Sequence, residues 1–391
     1  MKQKIGILCS CAVIMSYLAI SPVIADIARA FPGTNISAVQ MIITLPSLMS
    51  LVFSLLAGKL ARIFYKKTLI LISLTAYLIG GLLPVIFHQS IIFLLVCSGI
   101  IGIGNGGMLT LSAAIICDYY TGKERNRMMG LQSAAISGGA MVFSMLGGLL
   151  SKNGWSSAYL AFLLLIPCIV ITALFMPRGI PEKDAAGNET VTKSSTGNRL
   201  ALGRSISGYV WFFSAIGFFY YICQNTYNTN VSLYIEEAQL GTAQTTSIAT
   251  SVYTFSGILA GLLLERLMHA TKKYSLIFAM VISSLGLLLA YIGPSLPFII
   301  LGGFLCGYGF STFTPAGTCL VSDHAVAGQR SMSIAIFSTF TNVGSSLSPV
   351  IVNAFTGAVG MTTVRSKLIV TAIGLAVVTI AAAVRTAAQK G

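Results

Sequence analysis

Charge is scarce in this sequence, and acid scarcest of all. Only 9% of the 391 residues are charged, with ten Asp or Glu against 24 Lys or Arg. A soluble domain carries roughly 25% charged residues, so a water-facing surface over most of the chain is excluded. His88, His269 and His324 are the only histidines; they read as turn residues far apart in the chain, which gives no metal cluster. The eight cysteines (9, 11, 97, 117, 168, 223, 306 and 319) lie in or at the ends of apolar stretches, with no CxxC pair. Such cysteines behave as small hydrophobes, so neither a disulfide framework nor a metal site is expected. The apolar stretches hold no Asp, Glu, Lys, Arg or His near their middles. A multiply charged substrate would call for a buried cation, and an intramembrane enzyme for acid–base or metal groups. The expectation is therefore no enzyme and no cofactor.

Apolar length is abundant. The chain is 55% hydrophobic with a mean hydropathy of +0.86. Twelve runs fall near 5–25, 37–58, 68–87, 91–117, 128–150, 155–176, 206–235, 243–264, 275–293, 297–321, 331–356 and 367–385. About 20 residues suffice to cross a bilayer core as a helix. The fold expected is an all-α polytopic membrane protein with the lipid bilayer as its solvent. The seventh run is the most polar of the twelve. The basic, then apolar, N-terminus has the look of a secretory signal, but is expected to stay as the first helix.

The reason is an internal repeat. At a constant shift of 205 residues, Gly102 and Gly104 map onto Gly307 and Gly309, Asp118 onto Asp323, Arg125 onto Arg330, and Gly139 onto Gly344. Two six-helix bundles, 1–176 and 206–391, are expected, joined by a polar linker at 177–205. With the N-terminus inside, all but four of the 24 Lys and Arg fall in cytoplasmic segments, the exceptions being Arg29, Lys152, Arg365 and Lys367. That bias places both termini in the cytoplasm. It also accounts for the net charge of +14 without nucleic acid, because the cations sit in short inter-helix turns.

Short motifs add to this. Gly58-Lys-Leu-Ala-Arg62-Ile-Phe-Tyr65-Lys66-Lys67 follows the second run, and Gly261-Leu-Leu-Leu-Glu265-Arg266 ends the eighth. With the repeat, the Asp118…Arg125 spacing and Gly139…Gly147-Gly148, the chain resembles the major facilitator superfamily over essentially its whole length. The loop motif of that family reads G-x-L-x-D-R-x-G-R-R; here Arg62 replaces its acid and Tyr65 a glycine. The resemblance implies gating roles for Gly58, Arg62, Lys66, Lys67, Asp118, Arg125, Gly261, Glu265, Arg266, Asp323 and Arg330. Arg62 cannot replace an acid at a helix N-terminus, so it is expected to pair with Asp118, and Glu265 with Arg330. The antiporter pattern G-x-x-x-G-P-x-x-G-G survives only in part, with Phe143 and Ser144 at its Gly-Pro, and Ser98 stands where many proton-coupled relatives carry Arg.

Candidate solute contacts follow from helical spacing. In the seventh run, Tyr220, Gln224 and Tyr227 or Asn228 share a face, with Tyr221 and Asn225 beside them. Amides and phenols at that density are costly against lipid, so a wet cavity is expected there. Smaller sets are Tyr17 and Ser21, Asn105 and Ser112, Gln132, Tyr308 and Thr312, and Asn342 with Ser345. The resemblance implies that the first, fourth, seventh and tenth helices line the cavity. Asp26, Glu236 and Glu237, at the outer ends of their runs, are the proton-coupling candidates. The function expected is secondary transport of a small neutral, zwitterionic or weakly charged organic solute by a monomer in the plasma membrane, with protons as candidate coupling ion. Proton-driven multidrug efflux is one alternative, and a non-transporting receptor or assembly partner the other.

Overall fold

The structure is a computed structural model and describes residues 2–61, 63–120, 122–177, 208–271, 274–324, 330–361 and 363–387. The expected linker therefore lies outside the described residues from 178 onward. Thirteen α-helices carry the described chain. The first span is made of α1 (Lys2–Ala12), a 3-10 stretch (Ser16–Val23) and α2 (Ile24–Ala30). Then come α3 (Ile36–Leu60), α4 (Lys66–Ile86), α5 (Ile91–Tyr119) and α6 (Gly122–Leu150). A 3-10 stretch (Trp155–Leu164) running into α7 (Leu165–Phe175) is the sixth. The second half holds α8 (Gly208–Glu237), α9 (Ala243–Thr271), α10 (Ser275–Ile292), α11 (Leu296–Asp323), α12 (Arg330–Ala358) and α13 (Val364–Ala387).

Among the described residues, eleven helical stretches are long and apolar enough to cross a membrane. The 30-residue α8 has the length, but its amides and hydroxyls keep it out of that set. Spans run up and down between short connections. One end of the bundle, near Lys4, Tyr120, Gly208 and Arg385, is called the terminal end; the other, near Arg29, Asn35, Glu236 and Lys367, the distal end.

Buried apolar side chains form two clusters, one drawn from Ile7 to Met176 and one from Tyr209 to Ala382. Outward positions such as Ile72, Leu174, Leu262 and Val384 are apolar and more than half exposed, as lipid contact demands. The repeat glycines have a packing cause. A Cβ on Gly102 would lie 2.6 Å from the Pro46 carbonyl oxygen of α3; one on Gly307 would strike the Tyr253 carbonyl of α9. Likewise Gly139 sits on the Ala12 carbonyl and Gly344 on that of Phe218. Backbones touch at equivalent places in both halves, which only a missing side chain permits.

Candidate functional site

The first span is irregular where it meets the second half. Pro22 lies within its 3-10 stretch and has no N–H to donate. Tyr77 of α4 braces the break: its hydroxyl accepts from the Tyr17 N–H (3.0 Å) and donates to the Ile14 carbonyl (3.3 Å). This holds Tyr17 half-buried beside Ser47 and Tyr221.

The α8 face carrying Tyr220, Gln224 and Tyr227 does not line a wet cavity. It packs within the second half. The Tyr220 hydroxyl meets Ser283 Oγ at 2.8 Å, and its ring stacks on Phe313 at 3.6 Å. Tyr227 donates to the Ile299 carbonyl (2.9 Å), and Gln224 Nε2 to that of Cys306 (2.7 Å). The polarity of this face answers to α10 and α11, through hydrogen bonds between helices. The neighbouring face behaves differently. Tyr221 is half-buried with its hydroxyl on Thr314 Oγ1 (2.7 Å). Asn225 Nδ2 donates to the Ser345 carbonyl (3.0 Å) and hydroxyl (3.1 Å) of α12. That carbonyl is free because Pro349, four residues on, has no N–H to offer it.

Gln224 Oε1, Asn228 Oδ1 and Tyr253 Oη are buried here with no well-formed hydrogen bond among the described residues, and Asn105 Oδ1 of α5 is in the same condition. Tyr253 of α9 lies beside both Gln224 and Asn228, stacked on Tyr227 and tilted against Phe310. Sequence reasoning missed Tyr253; its place in a polar stretch of the eighth run was the available signal. The remaining candidates are committed elsewhere. Gln132 donates to Ser112 (3.0 Å) inside the first half, and Thr312 bonds its own helix at Tyr308. Asn342, half-buried, donates to Ser338 one turn back. Tyr308 is half-buried.

The strongest feature is a network across the distal half of the bundle. Gln40 of α3 donates to the Thr229 carbonyl (3.0 Å) and Asn230 Oδ1 (2.8 Å) of α8. Asn353 of α12 donates to Gln40 Oε1 (2.7 Å) and Ser37 Oγ (2.9 Å). Thr44 and Ser346 each donate to the other's carbonyl at 3.3 Å. Ser232 enters the broken ladder of the first span, accepting from the Ala25 N–H (3.2 Å) and donating to the Pro22 carbonyl (2.7 Å). Ser144 meets Thr250 at 2.6 Å. Ser21, expected at the solute, bonds the Asn228 carbonyl (3.2 Å) in this network instead. Gln40, Asn230, Ser232 and Asn353 were absent from the expectation, because two faces that meet across 200 residues leave no periodicity in either segment.

Arg29 completes the distal seal, bridging Asp26 of its own helix and Glu236 of α8 (2.7 Å). Glu237 instead accepts the Val364 N–H (2.9 Å) within the second half. At the terminal end, pairs stay within one half. Lys66, only 6% exposed in its side chain, reaches Asp118 at 2.6 Å. Lys4 reaches Glu124 at 2.7 Å, which holds the exposed Glu124 carboxyl below its usual range. Asp118 thus has Lys66 as its partner. Arg62 lies outside the described residues, as do the surroundings of Gly58, Arg125, Glu265, Asp323 and Arg330. Lys67 is half-buried, while Gly261 and Arg266 lie on the outer face of the bundle or partly so. No hydrogen bond or ion pair between halves occurs at the terminal end among the described residues.

Known proteins fit this geometry. The Major Facilitator Superfamily family model matches residues 6–268 and 213–390. A solved POT family transporter, PepTSo, is similar at TM-score 0.72 and 14% identity, covering 100% of this chain and 99% of that one. A bacterial homologue of the human lysosomal transporter Spinster, solved inward-facing and unoccupied, gives TM-score 0.69 at 14% identity, covering 98% and 97%. A POT family transporter in complex with 5-aminolevulinic acid gives 0.74 at 12% identity, covering 99% and 96%. In sequence, 152 residues are 30% identical to the quinolone resistance protein NorB of Staphylococcus aureus, 38% of this chain and 32% of that protein. The match thus spans about a third of that relative's length. With an all-helical bundle, a repeat in both packing and sequence, and a family model covering nearly every residue, the chain belongs to the major facilitator superfamily of membrane transporters.

Proposed function

We propose that the protein moves a small neutral, zwitterionic or weakly charged organic solute by alternating access, as a monomer in the cell membrane with both termini cytoplasmic. The observation that carries this reading is that, among the described residues, the hydrogen bonds between halves lie in the distal half, while Tyr17, Tyr221, Asn225 and Asn342 stay half-buried at mid-height. A polar site closed on one side and unlatched on the other is what rocking of two halves requires. Tyr221, Asn225 and Asn342, all half-buried, supply neutral polar groups for such a solute. The latch is breakable, because neutral hydrogen bonds between membrane helices are worth roughly 0.6 kcal/mol each. Arg29, bridging Asp26 and Glu236, is the charged part of the distal seal, which makes Asp26 the residue to replace in a test of proton coupling.

A second reading is export of amphiphilic aromatic compounds. The ring cluster of Tyr221, Tyr253 and Phe310 favours it, as does the stretch shared with a quinolone resistance protein. Proteoliposomes with an imposed pH gradient test both, using a pool of zwitterionic solutes and a quinolone. Gradient-driven accumulation that is lost in Asp26→Asn is the expected result. No flux above protein-free vesicles for any compound would overturn the reading, and gradient-independent flux unchanged in Asp26→Asn would remove the proton step.

A further inference from the structure

At the distal end, away from the solute route, a crevice of about 580 Å³ opens between α3, α12 and the start of α13. Asn35, Ser37, Asn353 and Lys367 line it together with apolar Met41 and Val350. Lys367 is only 6% exposed. Among the described residues its ammonium makes no hydrogen bond or ion pair. The acid that acts on it from nearby is Glu237, whose carboxylate already accepts the Val364 N–H. A buried ammonium without a counter-ion is costly.

The N-terminus of the 25-residue α3 borders the same crevice through Ile36, Ser37 and Ala38, with Asn35 Oδ1 accepting the Ser37 N–H at 2.9 Å. Helix N-termini carry partial positive charge; the Ala38 N–H is taken by the Asn35 carbonyl (2.9 Å) as that of Ser37 is by its side chain, so this end acts through its charge rather than through free N–H groups. No carboxylate lines the crevice. A buried cation and a positive helix end facing one cavity, with apolar walls beside them, select an anion.

We propose that this crevice binds a phosphate-type anion, held by Lys367 and the α3 N-terminus and supplied by a lipid headgroup or by the aqueous phase. The site spans both halves, since α3 belongs to the first and α12 and α13 to the second. It also shares Ser37 and Asn353 with the distal latch. Occupancy therefore favours the distally closed state. None of this depends on the identity of the transported solute.

The test uses the full-length protein in detergent, titrated separately with phosphatidylglycerol, phosphatidylcholine of the same chain length and inorganic phosphate. Bound ligand is counted by native mass spectrometry. Lys367→Gln is expected to weaken anion binding at least tenfold and Lys367→Arg to keep it within about threefold. Lys152→Gln, a cation elsewhere at the same end, should leave it unchanged. Ala354→Phe fills the crevice with Lys367 intact and should also block binding, which keeps the test open if Lys367→Gln does not fold. Binding of phosphatidylglycerol but not phosphate identifies a headgroup site; binding of both identifies a general anion site. Equal binding of phosphatidylcholine and phosphatidylglycerol overturns the proposal, as does anion binding by Lys367→Gln or Ala354→Phe equal to the parent.

Discussion

At the distal end, neutral amides and hydroxyls tie one half to the other, Gln40 to Asn230 and Asn353, Thr44 to Ser346, Ser232 to the first span, together with an ion pair from the largely exposed Arg29 to Glu236, which solvent screening keeps weak. At the terminal end, the charge pairs among the described residues lie within a half, Lys66 with Asp118 and Lys4 with Glu124. The difference fits what each contact must do. A bond that breaks in every cycle has to be weak, and a neutral hydrogen bond nets only about 0.5–1.5 kcal/mol. An ion pair shut away from water is stronger and less forgiving when one partner is lost. Placed inside a half, it stiffens a rocking body without opposing the rocking.

The contrast can be broken most severely at Gln40. Gln40→Leu leaves the Asn230 and Asn353 amides buried without it. At about 1–3 kcal/mol per orphaned group, the distally closed state should lose roughly tenfold to a hundredfold in population. Labelling of a cysteine placed behind the latch reads this shift, and unchanged labelling would deny the network a gating role.

Lys66→Gln should act on stability rather than on gating. The Lys66 side chain is nearly buried but Asp118 is a third exposed, so solvent screening limits the loss to about 1–2 kcal/mol. A lower unfolding temperature with the same cysteine labelling is expected. Exchanging the two charges, Lys66→Asp with Asp118→Lys, should recover part of the loss.

Asn353→Ala removes two donated bonds but vacates the site with a small side chain, and should cost about 1 kcal/mol of the closed state. The same labelling assay measures it, at roughly a fifth of the parent population ratio. Arg29→Gln ranks below this, because Arg29 is two-thirds exposed. Its effect should shrink further at high salt.

The smallest effect belongs to Lys4–Glu124. The folded-state carboxyl is held below its ordinary value of 4.5 by the Lys4 ammonium. Its contribution is therefore full above that value and fades as pH falls through the lowered one. Lys4→Gln should unfold a small, constant step below the parent above pH 5, and the gap should close in more acid buffer.

Much of the fold was legible in the sequence. Run length gave the spans, since lipid admits little besides closed, apolar helices. The glycine matches were legible because close backbone approach forbids any side chain, in both halves alike. The site was less so. The amphipathic face of α8 was visible, but periodicity does not say what a face meets. Tyr220 and Tyr227 found Ser283 and the Ile299 carbonyl within their own half, whereas Asn225 found a carbonyl released by Pro349 of α12.

The sequence by itself determined that this is a two-part helical membrane protein, because hydropathy is a property of single segments and the repeat is read by laying one half of the sequence on the other. Only the tertiary structure decided which polar residues latch the halves, since Gln40, Asn230 and Asn353 acquire their roles from partners 190 to 313 residues away in the chain. It alone also decided that Lys367, read from the sequence as an external loop cation, faces a crevice. Burial of a side chain depends on which helices close around it, and no local pattern encodes that.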